Sequence, residues 1–186
     1  MNLHELARKR SLRISVHEWA IGLAVTTAKR GTCIRRQVGC VLLDEDGYVL
    51  ATGYNGVASG QPHCNEQRED IKFKIVAPEE DAAKQIFPNA CPAAFAASGT
   101  QLDGCHAIHA EQNALLRMGD PRRVHSCYVT HSPCITCVKL LMNTSCQHIY
   151  FLEPYAHDKE ARELWESKGD NYSWNHLTPE LLERIK

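Results

Sequence analysis

The chain has 186 residues, a size that accommodates one domain with a sizeable core. Its composition, 44% hydrophobic and 23% charged, is that of an ordinary globular protein, and a net charge of −1 excludes general electrostatic attraction to nucleic acid or anionic membrane. No run approaches the ~18 apolar residues of a spanning helix, and Met1 to Arg13 lacks the apolar stretch of a secretory signal.

In chain order, Ser15-Val16-His17-Glu18 reads as a capping box and predicts a helix over Val16 to Arg30 that ends at Gly31. Val38 to Leu43 is an apolar strand, Asp44 to Gly47 a turn, and Tyr48 to Tyr54 the returning strand of a hairpin. From Ser59 to Gly104 the periodicity dissolves into prolines, scattered charges and Ala-rich patches such as Pro92 to Ala97. An insertion of that length predicts short helices pinned by some other interaction. Regularity returns with a helix over Ile108 to Met118, stopped by Gly119, and a strand over Ser126 to Thr130. Cys134 to Asn143 follows as a helix behind Pro133, then a strand at His148 to Leu152 and a helix at Asp158 to Lys168. Thr178-Pro179-Glu180 caps a short final helix. A hairpin followed by alternating helices and strands predicts an α/β fold, a three-layer α/β/α sandwich around one mixed sheet. The expected organisation is a single domain over 1–186 with an insertion at about 59–104.

Two short strings carry the chemistry: His109-Ala110-Glu111 and, 21 residues on, Pro133-Cys134-Ile135-Thr136-Cys137. His109, Cys134 and Cys137 supply three zinc ligands and leave a tetrahedral ion one open position, the arrangement of a catalytic site. The open position holds a water of lowered pKa, and Glu111, two residues from a ligand, is placed to move its proton. H-x-E followed by P-C-x-x-C is the signature of the zinc nucleobase deaminases. The spacing has a physical basis, because each string begins a predicted helix. Residues three apart share a helix face, and helix N-termini favour thiolate over thiol. The competing reading is a closed zinc staple completed by Cys105 or His106, which gives no reason for a carboxylate at position 111. Of the nine cysteines, Cys40, Cys127 and Cys146 read as buried free thiols in or beside apolar strand-like runs; the others call for metal first. That usage predicts a reducing, cytoplasmic setting.

The ordered blocks Gln37-Val38-Gly39, Thr52-Gly53-Tyr54-Asn55-Gly56, His109-Ala110-Glu111-Gln112-Asn113-Ala114 and Tyr128 to Cys134 give the chain a closer likeness. From about Val16 to Gly169 it resembles the deoxycytidylate (dCMP) deaminases of the phage and bacterial type. The zinc strings alone would fit the whole superfamily; the Gly-Tyr-Asn-Gly block and Asn113 narrow the resemblance. It implies a cytidine deaminase-like fold and hydrolytic loss of ammonia from C4 of dCMP, giving dUMP for thymidylate synthesis. It implies that Asn55 contacts the sugar, with Ala110 and Ser132 beside it in the substrate site. It further implies a dCTP effector, taken with Mg2+ and opposed by dTTP, at Gly53, Tyr54, Asn55 and Gly56 of a homohexamer.

For the phosphate of dCMP the sequence offers Arg35 and Arg36, since guanidinium suits bidentate phosphate contact, and the resemblance adds Tyr155, whose Glu153-Pro154-Tyr155 setting is similar to that of a family Tyr near the nucleotide. The alternatives are a solvated arginine pair and an interface or core aromatic. The resemblance also implies a structural zinc on Cys33 and Cys64, a third ligand from Cys105 or His106, and a fourth from Cys91 or His63. Such an ion would pin the insertion. The insertion precedes the active-site helix and so stands where it can cover the pocket, leaving 5-methyl- and 5-hydroxymethyl-dCMP open as substrates. Three other functions compete: tRNA adenosine editing, deamination of free cytidine nucleosides, and a non-catalytic zinc-bearing interaction protein. Editing wants a basic face, and Arg122-Arg123 with Arg8-Lys9-Arg10 form no long stripe. An intact Glu111 speaks against the third.

Overall fold

Ser15 and Glu18 exchange hydrogen bonds at the head of the first helix, Ser15 N–H donating to the carboxylate at 2.7 Å and Glu18 N–H to the hydroxyl at 3.2 Å. In this computed structural model, which describes residues 13–67, 79–97 and 99–184, that capping box opens α1 (Val16–Ala28). The remaining elements are β1 (Gly39–Leu43), β2 (Val49–Tyr54), α2 (Glu79–Ile86), α3 (Ala110–Arg117), β3 (Ser126–His131), α4 (Ile135–Met142), β4 (His148–Glu153), α5 (Lys159–Glu166) and β5 (Ser173–His176). Short 3-10 turns occupy Leu102–Gly104, Pro121–Arg123 and Pro179–Arg184.

One five-stranded sheet runs in the order β2-β1-β3-β4-β5. β1 is antiparallel to both β2 and β3, whereas β3, β4 and β5 are parallel, so the sheet is mixed. β1 is buried along its whole length, which explains its unbroken apolar run. Ala20, Ile21 and Ala24 of α1 pack on Val41, Leu43 and Tyr128 on one face. On the other, Ala110 and Ala114 of α3, Val138 and Leu141 of α4 and Trp165 of α5 pack on Cys40, Leu42, Cys127 and Ile149. Two cores on opposite faces of one sheet make the expected three layers.

Two glycines set how closely the helices approach. A Cβ at Gly39 would collide with backbone of Ala24 and Ala28 in α1, and one at Gly53 with the Ala110 carbonyl and the Ala114 amide in α3. Both helices lie nearly in contact with the strands. That proximity aims the head of α3 at the end of β2.

Two elements differ from the sequence expectation. β5 is absent from it, because Ser173-Trp174-Asn175-His176 is short and polar; its apolar signal is Trp174, packed against Phe151. The final helix forms as a 3-10 turn. Among the described residues the insertion holds the short helix α2 and the turn at Leu102–Gly104, in keeping with the short helices expected there; Met1 to Leu12 and part of the insertion lie outside the described residues.

Candidate active site

The ends of two helices meet at one point. His109 is the N-cap of α3 and Cys134 that of α4, both extended at φ −69° and −72°. The His109 amide donates to the Gln112 side chain at 2.9 Å. Its ring is turned to the thiols, with Nδ1 3.5 Å from Cys134 Sγ and 3.4 Å from Cys137 Sγ. Among the described residues this trio alone brings three ligand-type side chains together with every ligating atom within 4.8 Å of the others.

The donors fit zinc. Tetrahedral Zn–S and Zn–N bonds of about 2.3 and 2.1 Å require a sulfur-to-nitrogen separation of about 3.6 Å. The Cys134 thiol is pulled down to about 4 by its hydrogen bond with Cys137 and then by His109, while that same bond and burial push Cys137 well up. A site that already stabilises one thiolate is half prepared for the metal.

Glu111, at the second position of α3, is 4% exposed and takes a hydrogen bond from the Cys137 thiol. Burial raises its carboxyl pKa; His109 opposes the rise. A carboxyl raised in this way is a better proton acceptor than an exposed glutamate.

The Gly-Tyr-Asn-Gly block builds the scaffold beneath. Gly53 admits α3, the Tyr54 carbonyl accepts from Asn113 at 2.8 Å, and Gly56 forms a bridge with Ile108, the residue before His109. Asn55 is buried and ties down the chain entering β1: Val38 N–H donates to Oδ1 at 2.8 Å and Nδ2 donates to the Arg36 carbonyl at 2.7 Å. Each end of that amide retains capacity for one more partner.

His109 and Cys134 of the trio line a cavity of about 340 Å3, within the usual range for small-molecule sites. Ala110 and Glu111 line it with Arg35, Arg36, Asn55, Ser132 and Tyr155. The residue model of the cytidine and deoxycytidylate deaminase zinc-binding region matches residues 14–153. The chain belongs to this family.

Two curated relatives of this family member are the deoxycytidylate deaminases of Schizosaccharomyces pombe, 30% identical over 89% of the chain, and of Saccharomyces cerevisiae, 28% identical over 85%. The chain spans less than half of their length, 45% and 44% respectively. Among solved structures, the dCMP deaminase of cyanophage S-TIM5 in complex with dCMP and dUMP superposes with a TM-score of 0.58 at 22% identity, over 88% of this chain and 98% of that one. That likeness establishes a shared fold.

Several expected site residues are already engaged. Ser132 donates to Asp158 at 2.9 Å and accepts from the Tyr155 amide at 2.6 Å, bracing the wall. Arg35 donates to the Ala97 carbonyl, and Ala94, Phe95, Ala96 and Gly99 of the insertion line the cavity. A Cβ on Gly99, at φ +81°, would strike the His157 ring, so the insertion sits tightly over this rim. The residue that sequence reasoning passed over is His131, which also lines the cavity. Its signal was present, inside the Tyr128 to Cys134 block and at the end of a strand.

The thiols named for a second zinc gather behind the cavity. Cys64 and Cys105 each hydrogen-bond Cys91, and both lie within electrostatic range of Cys33. Cys64 and Cys91 are buried with Ala93 and Ala94 and pack against Cys105. His106 is exposed, and His63 is half-exposed beside Glu66 at 3.7 Å. No helix among the described residues is long and apolar enough to cross a membrane.

Proposed function

We propose that the protein hydrolyses dCMP to dUMP and ammonia. The observation that carries this reading is a three-ligand metal trio with a buried carboxylate beside it, next to a pocket that two arginines also line. His109, Cys134 and Cys137 would hold zinc, which supplies the Lewis acidity that acidifies a coordinated water. Glu111 takes that water's proton as oxygen adds to C4 of the base, and hands it first to ring N3. The same carboxylate then takes the second proton from the new C4 hydroxyl and passes it to the C4 amino group, so that the carbon–nitrogen bond breaks, the carbonyl of uracil forms and ammonia leaves. Asn55 and Ala110 orient the nucleoside, and Arg35, Arg36 and Tyr155 face its phosphate. Ammonia release from dCMP, deoxycytidine, cytidine, dCTP and a tRNA anticodon stem tests the assignment. Turnover of dCMP alone, or far ahead of the rest, is expected, and a preference for any other substrate overturns it.

The thiols of Cys33, Cys64, Cys91 and Cys105 would hold a second, structural zinc that pins the insertion to the domain. The buried thiols of Cys33, Cys64 and Cys91 with the half-buried Cys105 near them support this; Cys105 suits the third place better than the exposed His106, and Cys91 the fourth better than His63. Metal analysis should return about two zincs per chain; one would sink the structural site. Regulation belongs to the same reading: dCTP with Mg2+ activating and dTTP inhibiting a cytoplasmic homohexamer that supplies dUMP for thymidylate synthesis. The Gly53 to Gly56 block supports it, because the residues that would meet the effector also carry the head of α3. Sigmoidal dependence on dCMP that turns hyperbolic with dCTP is the expected sign.

A further inference from the structure

His131 ends β3 directly in register with Glu153 at the end of β4, at the carboxyl edge of the parallel strands where open α/β sheets receive ligands. Its Nε2 lies 2.9 Å from Glu153 Oε2, and its Nδ1 lies 3.1 Å from Thr130 Oγ1. Thr130 Oγ1 in turn accepts from the Gly39 amide at 3.3 Å. The chain of bonds settles the tautomer. A carboxylate only accepts, so Nε2 carries the hydrogen; a neutral ring then leaves Nδ1 bare for the Thr130 hydroxyl.

The ring is mostly buried, 13% exposed, whereas Glu153 is 66% exposed and free to turn toward solvent. Burial and the neighbouring Arg36 hold the imidazole below its ordinary pKa in spite of Glu153. Arg36, Arg35, Tyr155 and His131 all line one cavity, so two cations stand beside a ring whose protonated form is disfavoured. A dianion placed among them removes the electrostatic part of that penalty.

We propose that His131 is a phosphate-binding residue that sets specificity for nucleoside monophosphates, receiving the phosphate opposite Arg36 and gaining a proton as it does so. Glu153 is the acceptor that the ring relinquishes or shares, and its charge opposes the incoming anion. The proposal rests on the nucleotide reading given above.

Calorimetric binding of dUMP and of deoxyuridine to the zinc-loaded protein tests it, in two buffers of different ionisation enthalpy at pH 7.5. There the phosphate, with a second pKa of about 6, is already dianionic. Wild type should take up a fraction of a proton with dUMP and none with deoxyuridine. His131→Asn should bind dUMP about tenfold more weakly, the usual loss for a charged hydrogen bond, with the uptake abolished. Glu153→Gln should tighten dUMP several-fold and leave deoxyuridine unchanged, and it decides the matter if the His131 variant fails to fold. Wild-type affinity and proton uptake in His131→Asn, or weaker dUMP binding in Glu153→Gln, overturns the inference while leaving dCMP as substrate. Equal binding of dUMP and deoxyuridine by wild type removes the nucleotide reading, and this inference with it.

Discussion

At the scale of single residues the site separates holding from reacting. His109, Cys134 and Cys137 converge on one point, whereas Glu111 stands beside them and takes a hydrogen bond from the Cys137 thiol. Glu111→Gln preserves the size of the side chain and an acceptor oxygen but cannot carry a proton. It should keep the zinc content and melting temperature of wild type while turnover falls by about 10²-fold or more. Metal analysis and rate on the same sample check this, and zinc lost together with the carboxylate would reassign Glu111 as a ligand. The arginines divide in the same way. Arg35 is committed to the Ala97 carbonyl, while no side-chain bond from Arg36 competes with a ligand among the described contacts. Arg36→Ala should cost about 1.5–3 kcal/mol of discrimination between dCMP and deoxycytidine, the worth of a charged hydrogen bond. Specificity ratios measured on both substrates decide it; an unchanged ratio would return Arg36 to the solvated surface.

At the scale of elements, the active site depends on α3 lying against β2, and Gly53 sets that distance. Gly53→Ala places a methyl group against the Ala110 carbonyl and the Ala114 amide, neither of which can move without the helix. A destabilisation of about 1–3 kcal/mol is expected from overpacking of this kind, with turnover falling further than stability because the shift carries Glu111. Denaturant melts and rates read the two effects, and a variant as active as wild type would detach the helix position from catalysis. The same elements explain what the sequence discloses. The capping box, the hairpin, and His109 and Cys134 at helix starts are local features, written in spacing and cap chemistry. β5 is not local: its polar residues become a strand because β4 presents a parallel edge and Phe151 a partner for Trp174. His131 belongs to the same class. Its spacing marks it as one more strand residue, and only pairing with Glu153 across the sheet gives it a chemical role. The clustering of Cys91 with Cys64 and Cys105 likewise joins distant segments, so the sequence leaves it one candidate among several.

At the scale of the whole molecule, the sheet joins the catalytic face to a second one rich in imidazole. His17 meets the Tyr128 hydroxyl at 2.8 Å, Tyr128 stacks on Tyr150, and His148 stands 4.9 Å from His125. Burial, then His125, depresses the His148 pKa, and burial with Arg36 does the same for His131. A base whose folded pKa is lowered binds fewer protons folded than unfolded. The neutral-imidazole contribution to stability is therefore complete above the unfolded pKa of about 6.5 and is lost as pH falls below it toward the folded values. The melting temperature should thus decline between pH 7 and pH 5.5. Zinc release adds to that decline, since protons compete with the metal for His109 and the thiolates. The two causes separate through His148→Gln, which leaves every metal ligand in place and removes one titrating ring. Its melting temperature should fall less steeply over the same interval than that of wild type, at equal zinc content throughout. Parallel curves would assign the acid sensitivity to the metal centre alone, and the ring pair of His125 and His148 would have no part in it.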